Sequence, residues 1–243
     1  MSFIKTSLLC LSLSFAILLA ATAAHAELTK AEVEKIIESY LLNNGDKILK
    51  SVDDYQRKSM QDKADAAIKQ NAEALFGDPR TPFIGNEKGD VTVVEFFDYN
   101  CGYCKHALPE IQALIESDKN VKVILKDLPI LGPSSETAAK WALAAHKQGK
   151  YFAYHTKLMQ NTGKISDDLL EKFAKDLGLD VAKMKADIEG TEILLQLEKD
   201  RSLASDLGIG GTPAFLIGNH LIPGAATLDV MKQKIAEIRA GKK

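Results

Sequence analysis

Two cysteines, Cys101 and Cys104, stand three positions apart in the stretch FFDYNCGYCK, residues 96–105. A pair at this spacing can hold a metal, close a small structural ring, or exchange electrons with other thiols. The chain has only one further cysteine, Cys10. A zinc site normally needs four ligands, and no second C-x-x-C or C-x-x-H stands anywhere in the sequence to complete one. A structural bridge gains more when it closes a long loop, and this one would enclose two residues, so it would contribute little. Two thiolates one turn apart are also soft ligands suited to Cu(I), which leaves copper at Cys101 and Cys104 open.

The N-terminus bears on the same question. Lys5 precedes an apolar run, Leu8 to Ala20, which ends in Ala24-His25-Ala26. A basic start, a short apolar middle and a small-x-small end describe a signal peptide spanning residues 1–26. The run is short of the roughly 20 apolar residues needed to span a bilayer. Its removal takes Cys10 away and leaves Cys101 and Cys104 in a compartment where disulfides persist. It also removes one lysine and no acid from a chain of net charge −2. An acidic balance argues against nucleic acid as a partner, and no other segment is long and apolar enough to cross a membrane.

The elements around the pair explain how it would be positioned. Val91 to Phe97 is β-branched and aromatic and reads as a buried strand. A helix should start at Cys101 and run to about Glu116, kinked at Pro109. Val121 to Leu125 is a second strand, parallel to the first in a βαβ unit. With Cys101 in the first turn, free amides and the helix dipole would favour its thiolate, the attacking species in disulfide exchange. Cys104, one turn along and better buried, suits a resolving thiol. Glu95 lies within the apolar strand, six residues before Cys101. A carboxyl buried there should have a raised pKa and could relay a proton to or from Cys104. Lys126, just past the second strand, could pair with it or stand in solvent.

Helical signals fill the stretch that follows. Ser134 or Ser135 can cap a helix over Glu136 to Gln148; Tyr151 to Gln160, Ser166 to Leu177, Val181 to Ile188 and Thr191 to Leu207 continue the block. Trp141, Phe152 and Tyr154 should form its core. Ala214 to Ile217 and His220 to Ile222 then read as a hairpin turning at Gly218-Asn219, and Thr227 caps a last helix. His106 is expected on the surface, and His146, His155 and His220 lack ligand spacing. Upstream, Thr29-Lys30-Ala31-Glu32 has the spacing of a capping box. Val33, Ile36, Ile37, Tyr40 and Leu41 follow at helical spacing, and a very polar helix from Asp46 to about Phe76 comes next. So thin an apolar line cannot form a core alone, and residues 27–76 are expected to be an arm that associates with its own copies. Gly77 to Pro82 reads as a linker into the main domain, residues 77–243.

VEFFDYNCGYCKHALPEI and the distant GIGGTPAFLIGNHLIPG together resemble the DsbA-like branch of the thioredoxin superfamily. The resemblance covers most of residues 81–243 and implies an α/β thioredoxin fold with an inserted helical domain at about 130–207. It implies that Pro213 is cis, with Thr212 against the disulfide and the substrate backbone, and that Glu95 is a buried acid of the site. A second acid that some members carry four residues after the second cysteine is replaced here by Leu108. The implied activity is thiol–disulfide exchange on cysteines of secreted proteins in the periplasm, with no cofactor. The arm resembles that of ScsC-like (suppressor of copper sensitivity protein C) members, which implies a homo-oligomeric disulfide isomerase kept reduced by a membrane reductase. Two other readings are a dithiol oxidase regenerated by a membrane oxidase and a Cu(I)-binding copper-tolerance protein.

Overall fold

The computed structural model describes residues 28–241, so the expected leader lies outside the described residues. The chain divides into two compact units after Gln56. The first holds α1 (Lys30–Asn43), whose capping box forms as expected: Glu32 N–H donates to Thr29 Oγ1 at 3.3 Å, and Thr29 N–H donates to Glu32 Oε2 at 2.9 Å. The helix ends where Asn43 and Asn44 turn their side-chain amides onto the Ser39 and Tyr40 carbonyls. No residue of α1 is buried, and Val33, Ile36, Ile37, Tyr40 and Leu41 are all exposed.

Helix α2 (Gly45–Gln70) follows. The stretch from Arg57 belongs to the second unit, although the sequence suggested an arm reaching residue 76. The physical reason is burial. Ala64 and Ile68 of α2, and Leu75 in a π-helical turn over Glu73–Gly77, are withdrawn from water. No helix among the described residues is long and apolar enough to cross a membrane.

The second unit is built on a mixed five-stranded sheet in the order β1-β3-β2-β4-β5. β2 (Val91–Phe97) and β3 (Val121–Asp127) run parallel through α3 (Gly102–Ser117), which continues past Pro109. β4 (Ala214–Ile217) lies antiparallel on the other side of β2, and β5 (His220–Pro223) pairs with β4 through the expected turn. Gly218 takes φ 61° there, a left-handed backbone that favours glycine. β1 (Phe83–Gly85), antiparallel to β3, was not anticipated. It is three residues long beside Pro82 and carries no alternating pattern of its own.

Between β3 and β4 come α4 (Pro133–His146), α5 (Tyr151–Gln160), α6 (Asp167–Asp176), α7 (Val181–Ile188) and α8 (Thr191–Asp206); α9 (Leu228–Arg239) closes the chain. The caps at Ser166, Asp180 and Thr227 each accept a backbone N–H as N-terminal capping requires. α4 starts differently from expectation. Gly132 is its flanking residue and Pro133 its first, which frees Ser135 for another task described below. Five buried alanines of α4 (Ala138, Ala139, Ala142, Ala144, Ala145) let neighbouring helices approach closely around Trp141, Tyr154, Leu158, Leu170 and Met184.

Because side chains alternate along a strand, the sheet serves two layers. Val93, Phe97, Val123, Leu125, Phe215 and Ile217 face α3, α9 and the helical block. Val94, Phe96, Ile124 and Leu216 face Ile68, Leu75, Leu203 and Leu207 on the other side. Lys126 belongs to that second side. It is wholly buried, ion-paired to Asp200 at 3.0 Å, and donates to Thr81 Oγ1 and the Ala74 carbonyl. The expected Lys126–Glu95 pair is therefore absent. Glu95 is in register with Leu125, and the next residue on β3 faces the opposite layer. The segment read as a linker is likewise held, by Asp78 bonded to Arg80 and Lys199. Replacing Lys126 by Met leaves the Asp200 carboxylate buried without its cation, and should cost about 3–5 kcal/mol in urea unfolding. The double variant Lys126→Met/Asp200→Leu should recover most of that loss.

Candidate active site

The C-terminal end of β2 delivers the cysteine pair. Asp98-Tyr99-Asn100 turns the chain, the Cys101 N–H donates to the Asp98 carbonyl at 3.0 Å, and α3 begins at the next residue. Cys101 flanks the helix start, and Cys104 lies on its first inward-facing turn. Both are thiols, with relative exposures of 6% and 1% respectively. The order of burial is the one expected for an attacking and a resolving thiol. Gly102 is exposed and Tyr103 is 71% exposed, so the residues between the cysteines form the outer rim.

The pairing of β2 with β4 brings the distant loop to the pair. Phe96 is in register with Ala214, which sets the two preceding residues over the start of α3. The Thr212–Pro213 peptide is cis. Cys101 Sγ donates to the Thr212 carbonyl at 3.2 Å, across 111 positions of sequence. His106, next to the motif, is exposed.

Beneath the pair lies Glu95, 1% exposed, with neither carboxyl oxygen hydrogen-bonded. Burial pushes its pKa up to about 8, helped by the charges of Cys101 and Asp127. Cys104 is also shifted upward, first by burial and then by the Glu95 charge, while the Asp98 backbone amide pulls the other way by favouring its thiolate. A thiol that resists ionisation beside an acid able to exchange protons near neutrality is a matched donor and acceptor.

Several residues of this site escaped the sequence reading. Asp98 is buried and accepts four hydrogen bonds, from the Asn100 N–H and Ser135 Oγ on one oxygen and the Ile130 and Leu131 N–H groups on the other. Asn100 Nδ2 donates to Ser134 and Ser135. The serines expected as helix caps thus tie the turn before Cys101 to the start of the helical block, and Asp98 holds the exposed Ile130 and Leu131 beside it. Asp127, the last residue of β3, is a second buried acid, accepting from Tyr151 Oη at 2.8 Å. Tyr99 Oη lies 3.1 Å from His155 Nδ1. Burial holds His155 neutral, with its pKa lowered to about 3. An acid closing the apolar run of the strand beside β2, two residues beyond the level of Glu95, was the available signal for Asp127. Among the described residues, no group of three or more His, Cys, Asp or Glu is arranged to hold a metal.

The DSBA-like thioredoxin domain matches residues 92–236, from β2 into α9. The chain belongs to this family. A thioredoxin-like oxidoreductase from Silicibacter pomeroyi is 41% identical, covering 69% of this chain and 97% of that one with a TM-score of 0.67. Proteus mirabilis ScsC in a transitional conformation is 30% identical over 86% of this chain and 100% of that one, with a TM-score of 0.65. Disulfide bond formation protein D of Bacillus subtilis is 28% identical over 71% of this chain and 85% of its own length. The chain also matches curated Na(+)/H(+) antiporters, of which it spans only 24%. The matched span contains Cys101, Cys104, Glu95 and Thr212-Pro213 together.

Glu95 gives a stability prediction with a definite sign. Its folded pKa, about 8, lies above the ordinary value of 4.5, so the folded state holds a proton that the unfolded state releases. Stability from this group is full below about pH 4.5 and is lost as pH rises through about 8. Glu95→Gln should match the parent in urea unfolding at about pH 4 and exceed it by on the order of 4 kcal/mol at about pH 9.

Proposed function

We propose that this chain is an exported protein thiol–disulfide oxidoreductase of DsbA type that works as an oligomer, chiefly in isomerising or reducing disulfides of secreted proteins. The observation that carries the chemistry is Cys101 Sγ at 3.2 Å from the Thr212 carbonyl, with Cys104 and the unpartnered Glu95 directly below. Cys101, as thiolate, attacks a substrate disulfide and forms a mixed disulfide, releasing the other substrate sulfur as a thiolate. Thr212, beside the attacking sulfur, offers its backbone to the substrate chain. Two exits follow. Another substrate cysteine attacks the mixed disulfide, which rearranges the substrate and returns Cys101. Alternatively Cys104 loses its proton to the Glu95 carboxylate and attacks Cys101, closing the Cys101–Cys104 disulfide and leaving the substrate reduced by two electrons. A membrane reductase then restores the dithiol.

The oligomer reading rests on α1. Its apolar residues are uncovered, and Proteus mirabilis ScsC in a transitional conformation aligns with 86% of this chain where the catalytic domain of that protein aligns with 71%. Export to the periplasm rests on the signature at residues 1–26. The same site run in reverse is a dithiol oxidase, a reading favoured by the similarity to the Bacillus disulfide bond formation protein.

Refolding of scrambled ribonuclease tests the proposal. The parent should restore ribonuclease activity, and Cys101→Ala and Cys104→Ala should fall well below it. Equal activity in both variants would end the isomerase reading. A chain lacking residues 27–56, a cut that spares the buried Ala64, Ile68 and Leu75, should be monomeric by light scattering and lose isomerase activity while still reducing insulin. An unchanged mass per particle would remove the arm from the account.

A further inference from the structure

The proton acceptor beneath the thiols has a neighbour that the exchange steps above leave unused. Glu95 and Asp127 stand on adjacent parallel strands, in register positions 95↔125 and 97↔127, and so on the same face of the sheet. Each is 1% exposed. Three of their four carboxyl oxygens have no hydrogen-bond partner, and the fourth, Asp127 Oδ2, accepts from Tyr151 of the helical block. A buried carboxyl left without a partner costs free energy, and two that face each other cannot both ionise cheaply. Buried Asp200 is paired with Lys126 and buried Asp98 accepts four hydrogen bonds, so carboxyl oxygens left without partners beside them call for a use.

We infer that Asp127 is a positioning residue for the exchange reaction, acting through Glu95: the two carboxyls form one buried acid pair, and Asp127, held by Tyr151, sets the readiness of Glu95 to take the Cys104 proton. This rests on the reading of Glu95 as that acceptor. Glu95 feels the charges of Cys101 and Asp127, whereas Cys104 feels Glu95 and Cys101. The groups around Asp127 are Glu95 on β2, Asp98 and Tyr99 in the following turn, Tyr151 on α5, and Asp200 on α8 across the sheet. Only the tyrosines stabilise its charge, and burial, Asp200 and Asp98 oppose it. In the resolving step the Cys104 S–H proton passes to a Glu95 oxygen, the sulfur's electron pair forms the bond to Cys101 Sγ, and the substrate sulfur leaves as thiolate. A negative Asp127 strengthens Glu95 as a base; a neutral one weakens it. Tyr151 thereby gives the helical block a hand in the redox step.

Reaction of the reduced protein with 5,5′-dithiobis(2-nitrobenzoate) isolates this step, because Cys101 releases one thionitrobenzoate and Cys104 releases the second. In the parent, the rate of the second release should rise through an inflection near 8, where Glu95 ionises. Glu95→Gln should abolish that inflection. Asp127→Asn keeps an acceptor for Tyr151 but removes the like charge, so the inflection should move down, by no more than about 1 pH unit, since Asp127 is the weakest of the three influences that lift Glu95 from 4.5 to about 8. In the Glu95→Gln background, Asp127→Asn should leave the profile unchanged. Should Asp127→Asn fail to fold, Tyr151→Phe, which removes the hydrogen bond favouring the Asp127 charge, should move the inflection in the same direction by less. An inflection lost in Glu95→Gln but unmoved in Asp127→Asn and Tyr151→Phe overturns the role of Asp127 and leaves Glu95 as the acceptor. A profile unchanged by Glu95→Gln overturns both.

Discussion

The active site depends on β2 being paired on both edges. Its parallel ladder with β3 and its antiparallel ladder with β4 leave no freedom of register, since a shift by one residue would exchange the two faces of a strand packed on both sides. That fixed register puts Ala214 beside Phe96, and so puts Thr212-Pro213 against the sulfur of Cys101. It also decides that Glu95, and not Val94 or Phe96, points beneath the thiols. Helix α3 starts where the strand stops because Asp98 gathers four hydrogen bonds from the turn and from the entry to α4.

The two faces of the same sheet treat buried charge in opposite ways. On the side of α8, Lys126 and Asp200 form an ion pair supported by Thr81, the Ala74 carbonyl and Gln196, and this network fastens the chain entering the domain to the sheet. On the side of α3, Glu95 and one oxygen of Asp127 have no such support. A paired charge in the interior is a fixture, because ionisation of both partners is mutually favoured. An unpaired carboxyl is relieved by gaining a proton, which makes it responsive to a thiol that must lose one. The site thus has a rigid back and a titratable front.

Much of this was legible in the sequence. The C-x-x-C after an apolar strand, Glu95 inside that strand, and the distant Thr212-Pro213 are local features whose types announce their environment, and the structure brings them together. The α/β order, the helical block, the hairpin and the caps at Thr29, Ser166 and Thr227 follow from periodicity and capping chemistry. What was not legible depends on partners far along the chain. Lys126 follows an apolar run and so offers itself to Glu95 in the neighbouring strand, but sequence does not say which face of β3 looks at α8. Ser135 was read as a cap because a serine before a helix usually is one; its bond to Asp98 spans 37 positions. β1 exists only through its pairing with β3, and residues 57–76 pack on the domain through a few apolar positions, Ala64, Ile68 and Leu75, too sparse to show a periodic stripe.

The central claim is that Cys101 is the sulfur that meets substrate and Cys104 the one that resolves. Incubating reduced Cys104→Ala protein with an unfolded substrate carrying one disulfide, then separating the products without reductant, measures this directly. The account predicts a stable mixed disulfide whose tryptic map joins Cys101 to a substrate cysteine, with no adduct from Cys101→Ala. Accumulation of the adduct at Cys104 in the Cys101→Ala protein, with none at Cys101, would contradict it.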